Sequence, residues 1–184
     1  MGCSHDCINI NLKTEEMTKK AIRLFGELLE EDLEENLKSR FFNDDEMNIK
    51  ETEDGFWFYI DEEPLFNNWD ARESINYFVK EFIKRYSDEY FYLNNTTTFN
   101  NCGDATYCEY KYDEKNKELT IRTVYSEWGT GLYDCPECEE HFEDEALAYI
   151  EEYEEGKTYI CPNCHAEVTF DAKQYVEKIK LEDF

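Results

Sequence analysis

The sequence predicts an α+β protein, with helices on one face of a mainly antiparallel sheet and a small cysteine-bound unit following it. Three observations predict this. Two segments place apolar residues at helical spacing, several short segments alternate apolar and polar residues, and two Cys-x-x-Cys turns stand near the C-terminal end. The 184 residues, 41% apolar and 16% aromatic, suit one medium domain with an appendage and exclude a disordered chain, which would lack such aromatics.

The first element is an amphipathic helix over residues 13–38. Ile22, Phe25, Leu29, Leu33 and Leu37 form its stripe, widened by Ala21, Leu24 and Leu28. Its other face carries Glu27, Glu30, Glu31, Asp32, Glu34 and Glu35. Two strands follow, Met47–Lys50 and Phe56–Ile60, joined across an Asp54-Gly55 turn. The unbroken run Phe56-Trp57-Phe58-Tyr59-Ile60 predicts burial on both faces. A second helix spans Trp69–Tyr86, with Ile75, Phe78, Val79, Phe82, Ile83 and Tyr86 as its stripe. A strand is expected at Glu89–Leu93 and a loop over the Asn- and Thr-rich Asn94–Asn101. Then comes a hairpin. Thr106, Cys108, Tyr110 and Tyr112 share one face, Leu119, Ile121, Thr123 and Tyr125 another, and Asp113–Lys117 is the turn.

Gly129 and Gly131 mark a boundary, giving an α+β domain over 1–128 and a second unit over 129–184. The second unit holds sixteen acids against four lysines, so it is the denser in charge. The whole chain has 45 acids and 19 bases, a net charge of −26. Such a field repels nucleic acid and anionic membranes and attracts basic surfaces. The start MGCSHDCINI lacks a basic region followed by a long apolar one, and no run of about 18 apolar residues exists, so a reducing cytoplasm is the expected setting. Met1-Gly2-Cys3 opens like a lipidation site, but Asp6 stands where Ser or Thr is required.

In a reducing compartment, paired cysteines point to metal. Cys135-Pro136-Glu137-Cys138 and Cys161-Pro162-Asn163-Cys164 each present two thiolates from one tight turn. Two such turns face to face make the tetrahedral sulfur cage that zinc prefers. The 22 residues between them accommodate an inserted helix, Glu143–Glu155, with Ala146, Leu147, Ile150 and Tyr153 as its apolar positions. These CPEC and CPNC knuckles resemble the zinc-ribbon family over residues 133–170. The resemblance implies a metal-stapled β-hairpin scaffold without fixing one activity. Cys161-x-x-Cys164-His165 also matches a haem-attachment pattern, and a lone Cys-x-x-Cys can be a redox pair. Twin knuckles favour one structural zinc ion. Cys3, Cys7, Cys102 and Cys108 are the candidate second four-thiolate set, although neither spacing is a standard knuckle.

Catalytic residues are not expected. The chain has no Gly-rich phosphate loop, no GxSxG elbow, no HExxH helix and only three histidines. The expected function is a non-enzymatic, acidic, zinc-binding interaction protein. It would act as a nucleic-acid mimic on a basic, nucleic-acid-binding partner, contacting neither nucleic acid nor membrane directly. Phage inhibitors of restriction or CRISPR systems are similar in charge and size. The candidate contact residues are Glu27, Glu30, Glu31, Asp32, Glu34 and Glu35 on the first helix and Glu151, Glu152, Glu154 and Glu155 on the second unit. The alternative is a zinc-ribbon adaptor or assembly factor whose contacts tolerate salt.

Overall fold

A computed structural model describes residues 4–31, 33, 38–43, 47–62, 72–99, 104–126, 135, 137–139, 153–169 and 172–184. Its elements are β1 (Ser4–Leu12), α1 (Glu15–Leu29), α2 (Ser39–Phe42), β2 (Ile49–Thr52), β3 (Gly55–Glu62), α3 (Arg72–Arg85), β4 (Phe91–Phe99), β5 (Asp104–Asp113), β6 (Glu118–Ser126), β7 (Tyr159–Ile160), β8 (Glu167–Val168) and β9 (Ala172–Lys180). Seven strands form one antiparallel sheet in the order β2-β3-β1-β4-β5-β6-β9, and β7 and β8 pair separately. The fold is α+β.

Helix α1 starts where the sequence supplies a cap. The Thr14 hydroxyl accepts the Met17 amide at 3.2 Å, and Glu15 and Glu16 occupy the positive first turn. Its apolar stripe packs with α3 against one face of the sheet. Phe25 meets Phe78 edge-on at 4.9 Å, and Phe82 meets Phe91 at 4.8 Å. Gly26 lets the chain after α1 fold back, since a Cβ there would lie 2.6 Å from that of Phe41. Gly55 takes φ +132° at the β2–β3 turn, where a side chain would stand 2.4 Å from the Leu12 carbonyl oxygen.

Several expectations need correction. The first helix ends at Leu29 rather than residue 38. Its last turn has no base, and Glu30 and Glu31 follow at the negative end of the helix dipole, which opposes continuation. Ser4–Leu12 is a strand, paired between β3 and β4. Ile8, Ile10 and Leu12 face the helices, while Asn9 and Asn11 face away. The predicted loop Asn94–Asn101 continues β4 through Phe99, because both neighbours bond it along its length. Phe58 and Ile60 are buried but Tyr59 is 44% exposed, so β3 is buried on one face only.

Strand β9 belongs to the large sheet, paired with β6 from Ser126↔Ala172 to Glu118↔Lys180. The boundary at 128/129 therefore does not separate two sheets. The chain leaves the sheet after β6, makes the cysteine unit, and returns to it. The expected inserted helix at 143–155 falls mostly outside the described residues, and Tyr153 and Glu154 at its end are not helical.

Candidate metal centre

The four predicted cysteines converge. The sulfurs of Cys135, Cys138, Cys161 and Cys164 all lie within 4.8 Å of one another. Cys135 and Cys164 are 3.8 Å apart, and Cys138 and Cys161 are 3.9 Å apart. A tetrahedral ion bonded to sulfur at about 2.3 Å requires sulfurs about 3.8 Å apart. The donor set and its spacing therefore fit a metal ion and are consistent with zinc. Four thiolates complete a tetrahedron and leave no open position for substrate.

The two knuckles repeat one backbone device. Glu139 and His165, each directly after the second cysteine of its knuckle, take φ +57° and +59°. That left-handed step closes each turn. The Glu139 amide bonds the Cys135 carbonyl at 2.8 Å, and the His165 amide bonds the Cys161 carbonyl at 2.9 Å. Within the turns, the Glu137 amide donates to the Cys135 sulfur at 3.4 Å and the Cys164 amide to the Cys161 sulfur at 3.3 Å. Burial pushes the Cys161 thiol up, but the amides of Cys164 and Asn163 outweigh it and hold its pKa down at about 6. The Ala166 amide pulls Cys164 down, yet burial and the neighbouring cysteines push it up to about 12. Four adjacent sulfurs cannot all ionise unaided, and a divalent cation removes that conflict.

The unit is fastened to the sheet face opposite the helices. Cys135, Tyr153, Tyr159, Cys161 and Val168 share a buried cluster with Tyr107, Val124 and Ala172 of the sheet. Arg122 on β6 donates from Nη2 to the Tyr153 carbonyl at 2.7 Å and from Nε to Gln174 at 2.9 Å, with its guanidinium over the Tyr107 ring. The Tyr153 hydroxyl donates to the Ala172 carbonyl at 2.7 Å. Sequence reasoning missed Arg122 and Tyr107. Both lie at alternate positions of strands already recognised, on the face to which the sequence reading assigned no role.

The candidate second site is not assembled. Cys7 faces away from the helices and donates to Asp61 at 3.3 Å, and burial with the Asp61 charge pushes its thiol up to about 12. Cys108 faces the helices, inside the main core. Two cysteines on opposite sides of a sheet cannot share an ion, while Cys3 and Cys102 lie outside the described residues. Of the candidate contact acids, Glu27, Glu30, Glu31, Glu154 and Glu155 are exposed, and Asp32, Glu34, Glu35, Glu151 and Glu152 lie outside the described residues. Among the described residues, no helix is long and apolar enough to cross a membrane. Compared with protein-family models, curated proteins and solved structures, the chain matches none.

Proposed function

We propose that the chain is a non-enzymatic, zinc-stapled interaction protein whose acidic surface occupies the nucleic-acid-binding surface of a basic partner. On this reading the cysteine unit is a zinc ribbon, and the protein is an inhibitor of the kind that blocks restriction or CRISPR systems.

The observation that carries the reading is the uneven pairing of acids along α1. At its start, Glu15 and Glu16 are paired with Lys19 and Lys20 at 2.8 and 2.7 Å. At its end, Glu27, Glu30 and Glu31 are exposed and, among the described residues, carry no ion pair. Those acids sit at the negative end of the helix dipole, where each costs about 0.3–1 kcal/mol. A local rule broken on the surface marks a functional feature more than a structural one.

The test is a nuclease-treated pull-down from host lysate at low and high salt. Capture of a basic nucleic-acid-binding protein at low salt, reversed by added DNA or RNA, supports mimicry. A partner that survives high salt and ignores nucleic acid sinks it. That outcome promotes the adaptor reading, which one observation favours: Ile160, beside Cys161, is 52% exposed.

A further inference from the structure

The sheet face away from the helices is only partly covered by the cysteine unit. At its other end the register aligns one cross-strand row: Lys50 on β2, Trp57 on β3, Asn11 on β1, Tyr92 on β4 and Lys111 on β5. These side chains point the same way, because Ile49, Phe58, Ile10, Leu93 and Tyr110 beside them all pack into the helix-side core. A cleft of about 380 Å³ opens in this row, lined by Asn11, Lys13, Asp54, Trp57, Tyr90 and Tyr92. Its size is that of a small-molecule site.

Three features of the row select a ligand. The rings of Trp57, Tyr90 and Tyr92 give the cleft stacking walls, with Trp57 and Tyr92 in edge contact at 5.6 Å. Asn11 lines the cleft and is 2% exposed, and among the described residues its buried amide nitrogen has no hydrogen-bond partner, which leaves a donor for a ligand that reaches it. Lys50 and Lys111 are exposed at the two ends and carry no ion pair among the described residues, whereas Lys13 is tied to Glu114 at 2.6 Å. These two unpaired lysines flank the aromatic rings, set against Asp54 in the lining and Glu109, which accepts from the Tyr92 hydroxyl at 3.1 Å.

A planar ring that offers an acceptor and carries an anion satisfies all three. We propose that this cleft binds a mononucleotide: the base lies against Trp57 and Tyr90 and accepts a hydrogen bond from Asn11, and Lys50 or Lys111 meets the phosphate. The chain's remaining acidity limits the ligand to what the row itself covers, since a longer strand would run its phosphates over carboxylates. The site uses none of the acids of α1 and stands or falls independently of mimicry.

Isothermal titration of the metal-loaded full chain tests it, with adenosine, guanosine, cytidine and uridine 5′-monophosphates as probes. At least one should bind saturably, its nucleoside about tenfold more weakly, and ribose 5-phosphate not at all. Lys50→Ala/Lys111→Ala should weaken the nucleotide about tenfold, and Trp57→Ala roughly ten- to a hundredfold. Lys80→Ala/Lys84→Ala, the same charge change on α3, should leave binding unchanged. The two lysine changes are at exposed positions, so loss of binding there cannot be ascribed to unfolding. No binding of any of the four at millimolar concentration overturns the proposal, as does equal binding of ribose 5-phosphate. A single-stranded octamer that binds more than tenfold tighter than any monomer overturns the assignment to a free nucleotide.

Discussion

The two faces of the sheet are stabilised by different means. Among the described residues, the helix side buries 25 apolar side chains in one cluster, including Phe25, Phe41, Phe58, Phe78, Phe82 and Phe91. The opposite side buries a cluster of eight, two of them cysteines of the metal centre and three of them borrowed from the sheet. Each large core side chain contributes about 1.5–3 kcal/mol on burial. The helix side therefore holds by packing alone. The cysteine unit is too small to do so, and an ion held by its four cysteines would replace the core it lacks.

That contrast can be broken in steps of decreasing size. Chelation should have the largest effect, because structural zinc supplies about 10–16 kcal/mol of apparent folding free energy to small units. After chelation, hydrogen exchange should rise over residues 153–169 while amides of α1, β1 and β4 stay protected. Uniform loss of protection would show that the two faces fold as one. Phe82→Ala should cost about 3–5 kcal/mol in urea unfolding and act on the whole chain, since that ring touches both Phe78 and Phe91. Arg122→Ala should cost about 1–3 kcal/mol by removing its hydrogen bonds to the Tyr153 carbonyl and to Gln174. Metal content should be unchanged in that variant, because Arg122 touches the unit's attachment and none of its ligands.

The smallest expected effect on stability carries the largest on partner binding. Glu30→Gln/Glu31→Gln removes two charges from the negative end of α1. Stability should rise by up to about 1 kcal/mol, read as a higher thermal midpoint. On the mimicry reading, low-salt capture of the basic partner should fall at least tenfold in the same variant. Lower stability with unchanged capture would remove these acids from the account.

What the sequence made legible follows from how local each signal is. The four cysteines were found because a knuckle is a four-residue device, repeated with the same turn at Glu139 and His165. The β5–β6 hairpin and the stripe of α3 were found because their periods run unbroken. Strand β1 was missed although Ile8, Ile10 and Leu12 alternate with asparagines, because those asparagines face away from the helices across the sheet. Asn9 bonds Asn94 at 2.8 Å, and Asn94 bonds the Tyr92 hydroxyl at 3.1 Å, so a polar network replaces the apolar signal on which strand reading relies. The Asn/Thr run of β4 was taken as a loop for the same reason. Strand β9 was hidden because an edge strand rich in lysine shows little apolar alternation. Which face each cysteine took was invisible until the register was known, and that register separates Cys7 from Cys108.

The central claim is that Cys135, Cys138, Cys161 and Cys164 hold one metal ion that staples the cysteine unit together. Metal analysis of the reduced, purified chain, combined with thiol titration before and after chelation, tests it most directly. The account predicts one equivalent of zinc and four thiols that become reactive only when the metal is removed. A chain with no bound metal, and those four thiols freely reactive from the outset, would contradict it.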